Sequence, residues 1–327
     1  MLRYIFHLPK LLISIFWTQF ATFCRPLTKW LLRKMTGLCE LQRICYGEPA
    51  GAPRIAGVEC SLRLSRDPEV CKLVEFLDRA ASERRFSSSG AEAMVGNAVQ
   101  AIHQIKKISP EVHREFSKSF KLCITIIWGY KQLLDDVEIL RKTAYNSEDA
   151  EHEAKLLELW ALMMPDQQLK ARVSDCWKEI GFQGDDPKTD FRGMGILGLE
   201  NLLYLAKNYP GAALHLLSHS NHPKYGYSFA VVGINLTHMA YRLWKDGSAR
   251  NHIYNTCIQS GVKMPDMCHF QRFYCYLYYE FDKLWLSQKP ATIMEFGRVR
   301  DCFEDVIRGL LADKDVILKL NFLVDQI

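Results

Sequence analysis

The chain lacks the motifs that mark self-contained nucleotide hydrolases and several other common enzyme classes. Its 327 residues contain no G-x-x-x-x-G-K-[ST] phosphate-binding loop, no G-x-S-x-G nucleophile turn, no H-E-x-x-H zinc motif and no Rossmann fingerprint set between a strand and a helix. We therefore expect no catalytic centre of its own and no bound cofactor. Any phosphate chemistry would take place on a partner.

Acidic residues are absent before Glu40. Six basic residues occupy that stretch: Arg3, Lys10, Arg25, Lys29, Arg33 and Lys34. The formal net charge of the whole chain is only +5, so the remainder is close to neutral. A nucleic-acid-binding protein needs a basic face on its folded part, and this distribution argues against that function.

The eleven cysteines include no C-x-x-C pair, and their odd number and wide spacing do not resemble a secreted disulfide scaffold. We expect reduced thiols and a cytoplasmic location. Two weak ligand clusters occur, namely His215, His219 and His222, and Cys268, His269 and Cys275. The first is better explained as a helix end and the second as core packing, so we predict no metal site.

The apolar N-terminal segment is too short to span a membrane. Leu11–Cys24 has no charge and is 14 residues long, whereas a spanning helix needs about 20. Three interpretations remain open: a helix lying on a membrane surface, a helix docked on the body, and a secretory signal without a recognisable cleavage site. Residues 1–36 are interpreted as a basic, apolar helical extension that contacts a membrane or docks.

Apolar residues recur at helical spacing through most of the chain after Glu111. Helices are predicted near 111–140, 147–164, 196–208, 211–219, 227–244, 247–260, 266–286 and 291–312. Ser147 is expected to cap the second of these, and no segment shows sustained strand alternation. The prediction is an all-α fold with one large multi-helix domain at 111–312.

The segments that flank residues 111–312 show a weaker helical pattern of apolar residues. Residues 47–67 are rich in Gly, Pro, Ala and Arg, which predicts a linker. Segments 69–83 and 91–107 are helical but thinly apolar, and 84–90 is a polar break. Residues 37–110 are therefore expected to form a variable, loosely packed preamble, and 313–327 a tail.

The segment Trp177–Leu202 concentrates special residues between two apolar helical patterns. Four glycines, Pro187, three aspartates and Arg192 fall within it. The glycines permit tight backbone, and Thr189 or Asp190 is expected to cap the following helix. Gln183, Asp185, Asp186, Asp190 and Gly193 are the candidate supporting residues of this loop.

Arg192 allows two interpretations on residues alone. In the first, Asp185, Asp186 or Asp190 pairs with its guanidinium and the pair closes the loop. In the second, the arginine is presented in trans to a phosphoryl-transfer site, where its planar, permanently charged fork binds phosphate oxygens. Both remain open at this point.

The same segment resembles the signature of the ELMO domain family, W-x-x-x-G-F-Q-G-x-D-P-x-T-D-F-R-G-x-G-x-L-x-L-x-N-L. The blocks at 222–237, 274–285 and 293–300 are similar to further family blocks, and 35–44 resembles the short ELMO domain-containing proteins. His222-Pro223-Lys224 runs directly into the G-Y-S-F block, which favours the second paralogous branch over the first, because the first carries an insertion there.

The resemblance implies a GTPase-activating protein for Arf-family small GTPases, especially the Arf-like (Arl) branch. Arg192 falls on the family's arginine-finger position, and the mechanism would be free of zinc. The chain would then activate a partner rather than turn over a substrate of its own. The alternative is a non-catalytic adaptor or effector that binds the GTPase without accelerating hydrolysis. The family also implies partial attachment to mitochondria, endoplasmic reticulum or lipid droplets.

Overall fold

The computed structural model describes residues 26–262 and 264–321, and this part of the chain is helical without strands. The prediction of an all-α fold is confirmed. The helices are α1 (Glu40–Gly47), α2 (Ala52–Arg63), α3 (Pro68–Ser82), α4 (Ala91–Lys106), α5 (Arg114–Lys142), α6 (Ala150–Met163), α7 (Gly195–Asn208), α8 (Pro210–Ser220), α9 (Phe229–Lys245), α10 (Arg250–Ser260), α11 (Met267–Gln288) and α12 (Phe296–Leu311). Short 3₁₀ helices lie at Arg85–Ser87, Asp175–Ile180, Pro187–Arg192 and Ile293–Glu295.

Helix α5 is the central element. Its apolar residues line more than one face, and its middle is buried around Ile124, Ile127 and Trp128. The four preceding helices, α1 to α4, pack against it, and so do three later helices, α7, α9 and α11. The buried side chains of all these helices form a continuous core. The end of α5 at Lys142 is therefore held firmly where it meets the candidate site.

The predicted linker at 47–67 is wrong, because residues 52–63 form helix α2. Pro53 stands in its first turn, where a missing N–H costs nothing. Ile55 and Val58 are buried. Gly51 has φ of +116°, and a side chain there would collide with the amide oxygen of Asn255, 2.6 Å from an ideal Cβ.

The preamble is also packed more tightly than expected. Leu77 of α3 and Ile102 of α4 are completely buried. The side chain of Asn255 in α10 accepts a hydrogen bond from the Ala52 N–H at 2.7 Å and donates to the carbonyls of Lys314 and Val316 at 2.9 and 3.1 Å. One buried amide therefore joins the start of α2 to the segment after α12.

The cap predicted at Ser147 lies two residues away, at Asp149. Its carboxylate accepts the N–H groups of Glu151 and His152 at 2.8 and 3.4 Å. Aspartate satisfies these otherwise unpaired donors and its charge also favours the helix N-terminus. Helix α6 therefore begins at Ala150.

Residues 26–36 form about three helical turns, and most of their apolar side chains are exposed. Leu27, Trp30 and Met35 are 67, 58 and 74 % exposed. Lys29 pairs with Glu40 at 2.5 Å, and Arg33 donates to the Lys106 carbonyl at 3.3 Å. The predicted apolar segment Leu11–Cys24 lies outside the described residues. Within the part of the chain that the structure describes, no helix has the length and apolarity to cross a membrane.

Candidate functional site

The candidate site is the connection between α6 and α7, built on two 3₁₀ helices. Asp175–Ile180 buries Trp177 and Ile180, and Pro187–Arg192 buries Pro187 and Phe191. The ring of Phe191 packs against Phe182 and Tyr145, with ring centroids 5.6 and 5.2 Å apart. The second 3₁₀ helix is thus attached by its apolar face and exposes its other side.

Two glycines in this segment are required by the backbone. Gly181 has φ of +81°, and an added Cβ would lie 2.2 Å from the backbone nitrogen of Phe229. Gly195 has φ of +54°, and its Cβ would lie 2.3 Å from the carbonyl oxygen of Thr143. Gly195 lets the end of α5 approach the start of α7, where the Ile196 N–H donates to the same carbonyl at 2.8 Å.

Gly193, a predicted supporting residue, has ordinary helical backbone angles and open space where a Cβ would be. The fold therefore does not require glycine at this exposed position.

The three aspartates do not pair with Arg192. Asp185 pairs with Lys178 at 2.6 Å, and Asp186 pairs with Arg172 at 3.0 Å. Asp190 accepts the backbone N–H of Gln183 at 3.0 Å. Burial raises the pKa of Asp190, while that N–H and the positive charge of Arg192 partly offset the effect. The Asp–Arg192 clamp is therefore not present.

The predicted cap of α7 is wrong as well. Asp186 caps the 3₁₀ helix through the Lys188 N–H at 3.0 Å, and the residue before α7 is Met194, which provides no capping side chain. Thr189 donates its hydroxyl to the Asp186 carbonyl at 3.3 Å. These bonds stabilise the turn that ends at Arg192, and Gln183 itself is exposed beside them.

Arg192 is exposed at the end of the 3₁₀ helix. Its Nε donates a hydrogen bond to the Thr189 carbonyl at 2.8 Å, and this bond orients the guanidinium. Within residues 26–262 and 264–321, no carboxylate forms an ion pair with it. The terminal nitrogens, Nη1 and Nη2, are therefore available to an acceptor from outside the described chain.

A second arginine, which the sequence did not reveal, organises the base of the site. Arg172 binds both carboxylate oxygens of Glu153 at 2.5 and 2.9 Å, and its third nitrogen binds Asp186 at 3.0 Å. Burial disfavours the charge of Arg172, but its hydrogen bonds to Glu153 and Asp186 outweigh burial and raise its pKa. Burial likewise opposes ionisation of Glu153, but Arg172 and Tyr145 lower its pKa overall.

The two weak ligand clusters are used structurally. His219 Nδ1 lies 2.7 Å from the carboxylate of buried Asp282, and His222 Nδ1 accepts the Lys224 and Tyr225 N–H groups. His269 caps the start of α11 with Asp266. In the described part of the chain, no group of three or more potential ligands has the geometry of a metal site.

Residues 135–300 match the ELMO/CED-12 family. The chain is 47% identical to human ELMO domain-containing protein 2 over 94% of its length and 99% of the relative. It is 40% identical to mouse ELMO domain-containing protein 1, with 98% of each chain covered. Identity to Dictyostelium discoideum ELMO domain-containing protein B is 32%, over 85% of this chain and 92% of that protein. No solved structure matches significantly.

Proposed function

The chain belongs to the ELMO/CED-12 family, and from that premise we propose that it is a GTPase-activating protein for Arf-family small GTPases that supplies Arg192 in trans. The GTPase would hold GTP, Mg²⁺ and the residue that orients the attacking water. Arg192 would enter the shared site and bind the β- and γ-phosphate oxygens as negative charge develops on them.

The observation that supports this proposal is an exposed guanidinium that has no carboxylate partner in the described residues and stands on a well-anchored turn. A structural arginine would be expected to pair with one of the three nearby aspartates, yet each of those has another partner. The turn is fixed by Asp186 at its start, by Phe191 near its end and by Gly195 just after it. Such preorganisation lowers the entropy lost when the arginine engages a phosphate.

Two exposed lysines lie on the elements that adjoin the Arg192 turn. The hydrogen bond between Ile196 and Thr143 brings the exposed end of α5 beside the turn. Lys142 there has a 68 % exposed side chain, and Lys188 is exposed on the turn itself. We infer that these residues form the contact surface around Arg192 and attract a partner that carries phosphate groups.

The test is single-turnover GTP hydrolysis by an Arl GTPase with the full chain and with the variants Arg192→Lys and Arg192→Ala. An arginine finger contributes about 10³–10⁵ in rate, so Arg192→Ala should abolish most stimulation. Lysine lacks the planar fork and should restore little of it. Binding to the GTP form, measured separately, should persist, because the surrounding surface remains.

Arg114→Lys provides the matched control. Arg114 is also exposed, but it stands at the opposite end of the 29-residue helix α5, roughly 40 Å from the site. Its replacement should leave the rate unchanged. Full activity of Arg192→Lys would refute the finger. Binding to the GTP form without any stimulation by the wild-type chain would favour the adaptor or effector function instead.

We also propose that residues 1–36 contact a membrane surface peripherally. The support is the helix at 26–36, which exposes Leu27, Trp30 and Met35 beside basic residues. Apolar side chains next to lysine and arginine suit the interface of an anionic bilayer. Attachment to mitochondria, endoplasmic reticulum or lipid droplets from the cytoplasmic side is proposed on the same ground.

A further inference from the structure

Arg172 joins three separate parts of the chain below the exposed turn. Its guanidinium binds Glu153 of α6 through two nitrogens and Asp186 through the third. Its Nη2 also lies 3.5 Å from the Tyr145 hydroxyl, and that hydroxyl donates to Glu153 at 2.5 Å. Its backbone carbonyl accepts the indole N–H of Trp177 at 2.9 Å. Both ends of the residue are therefore fixed.

Two routes lead from Arg172 to the turn that carries Arg192. The first runs through Asp186, whose Oδ1 binds both Arg172 and the Lys188 N–H at the start of the 3₁₀ helix. The second runs through Tyr145, whose ring packs on Phe191, the residue immediately before Arg192. The network thus reaches both ends of a six-residue helix.

The network is stronger than an exposed ion pair. The side chains of Arg172 and Glu153 are only 25 and 20 % exposed, and the two bonds between them use the bidentate geometry that suits arginine and carboxylate. A partly buried pair is also less screened by salt than a surface pair. Removal of Arg172 would leave Glu153 and Asp186 without their common cation.

We propose that Arg172 is a positioning residue for Arg192: it fixes both ends of the 187–192 turn so that the exposed guanidinium is presented at one place. The inference rests on the proposed function of Arg192. Arg172 itself would not touch the nucleotide, because its three nitrogens are committed to Glu153 and Asp186. In this proposal Arg172 positions the turn, and Arg192 contacts the phosphate groups.

The experiment combines single-turnover hydrolysis with amide hydrogen exchange over residues 183–196. Arg172→Ala should lower the stimulated rate on the order of 10²-fold, as a misplaced catalytic group does, with little change in the GTPase concentration needed for half-maximal stimulation. Exchange in the turn should become faster. Arg172→Lys keeps the positive charge but loses the planar guanidinium that binds two carboxylates. Its stimulated rate should therefore lie between the rates of the wild-type chain and of Arg172→Ala.

A double-mutant cycle separates positioning from general stability. When Arg192 is already alanine, Arg172→Ala should reduce the residual rate no further, because there is no finger left to place. Asp186→Asn provides a milder variant, since asparagine still caps the 3₁₀ helix but loses the ion pair. Arg63→Ala is the matched control: Arg63 also bridges two carboxylates, Glu59 and Asp78, in the N-terminal helices, and its loss should spare the rate.

The outcomes distinguish this inference from the proposed function. If the wild-type chain does not stimulate hydrolysis, the proposed function fails, and faster exchange in Arg172→Ala would support only the structural part of the inference. If Arg192 proves essential but Arg172→Ala and Asp186→Asn keep full activity, the inference is overturned. Unchanged exchange in the turn, or an equal loss of rate in the absence of Arg192, would overturn it as well.

Discussion

Gly195 provides a direct test of how the candidate site is fixed. Its φ of +54° lies in the left-handed region, and an added Cβ would stand 2.3, 2.5 and 3.0 Å from the carbonyl oxygens of Thr143, Arg141 and Leu140. All three are backbone atoms, two in the last turn of α5 and one in the residue that follows it, so none can move like the tip of a flexible side chain. Gly195→Ala must therefore push α5 and the turn apart or distort both.

The cost follows from two contributions. The left-handed conformation costs an alanine about 1–2 kcal/mol, and overpacking against fixed neighbours about 1–3 kcal/mol. Together they predict a loss of about 2–5 kcal/mol in the free energy of unfolding. The entropy of unfolding of a 327-residue chain is about 0.7 kcal/mol/K, so the melting temperature should fall by about 3–7 °C.

Gly193→Ala is the matched control, two residues away. Gly193 has φ of −83° and open space around its Cβ position. Its replacement should change stability by no more than about 1 kcal/mol, with a small gain favoured by the lower entropy of the unfolded chain. Differential scanning calorimetry of both variants is the assay. Equal melting temperatures for Gly195→Ala and wild type would show that the close approach of α5 to the turn does not require glycine at position 195.

Two further predictions concern other parts of the chain. Burial lowers the pKa of His252 to about 4, and its Nδ1 accepts the Leu318 N–H at 3.1 Å. The neutral imidazole should contribute about 3 kcal/mol to the free energy of unfolding. This contribution should be fully present above pH 6.5 and be lost as the pH falls towards 4. Urea unfolding across that range should show a smaller pH dependence for His252→Gln than for wild type, and identical curves would contradict this account. Deletion of residues 1–36 should release the chain from anionic liposomes in flotation and leave hydrolysis in solution intact, whereas Leu310→Ser, at another exposed leucine, should leave flotation unchanged; flotation that survives the deletion would rule out this membrane contact.

The helical fold was largely predictable because its periodic signal is strong where helices are long and buried on one side. Helices α5, α9 and α11 were each expected within a few residues of their observed bounds. Helix α2 was missed because glycine, proline and alanine give it a weak apolar pattern. Its stability comes instead from tertiary contacts, including one with the Asn255 side chain some two hundred residues away. Such contacts cannot be predicted from local helix propensity.

The candidate site was predicted at the level of residue types but not of pairings. Three aspartates near one arginine suggested a local clamp, because sequence proximity was the only available guide. The structure pairs Asp186 instead with Arg172, and Arg172 with Glu153 on the preceding helix. Arg172 lies in a polar stretch without periodicity, so nothing in the linear pattern distinguished it from an exposed arginine.

The separation of charges in this segment explains how Arg192 stays free. Each aspartate is already satisfied, Asp185 by Lys178, Asp186 by Arg172 and Asp190 by a backbone N–H. If one of them were released, it would compete for the exposed guanidinium at short range, since an arginine–carboxylate pair forms readily between flexible neighbours. Under the proposal above, Arg172 would have two effects on Arg192: it would hold the turn, and it would keep Asp186 engaged in another ion pair. If Arg192 acts as proposed, the absence of a carboxylate partner leaves its guanidinium available to an incoming phosphate.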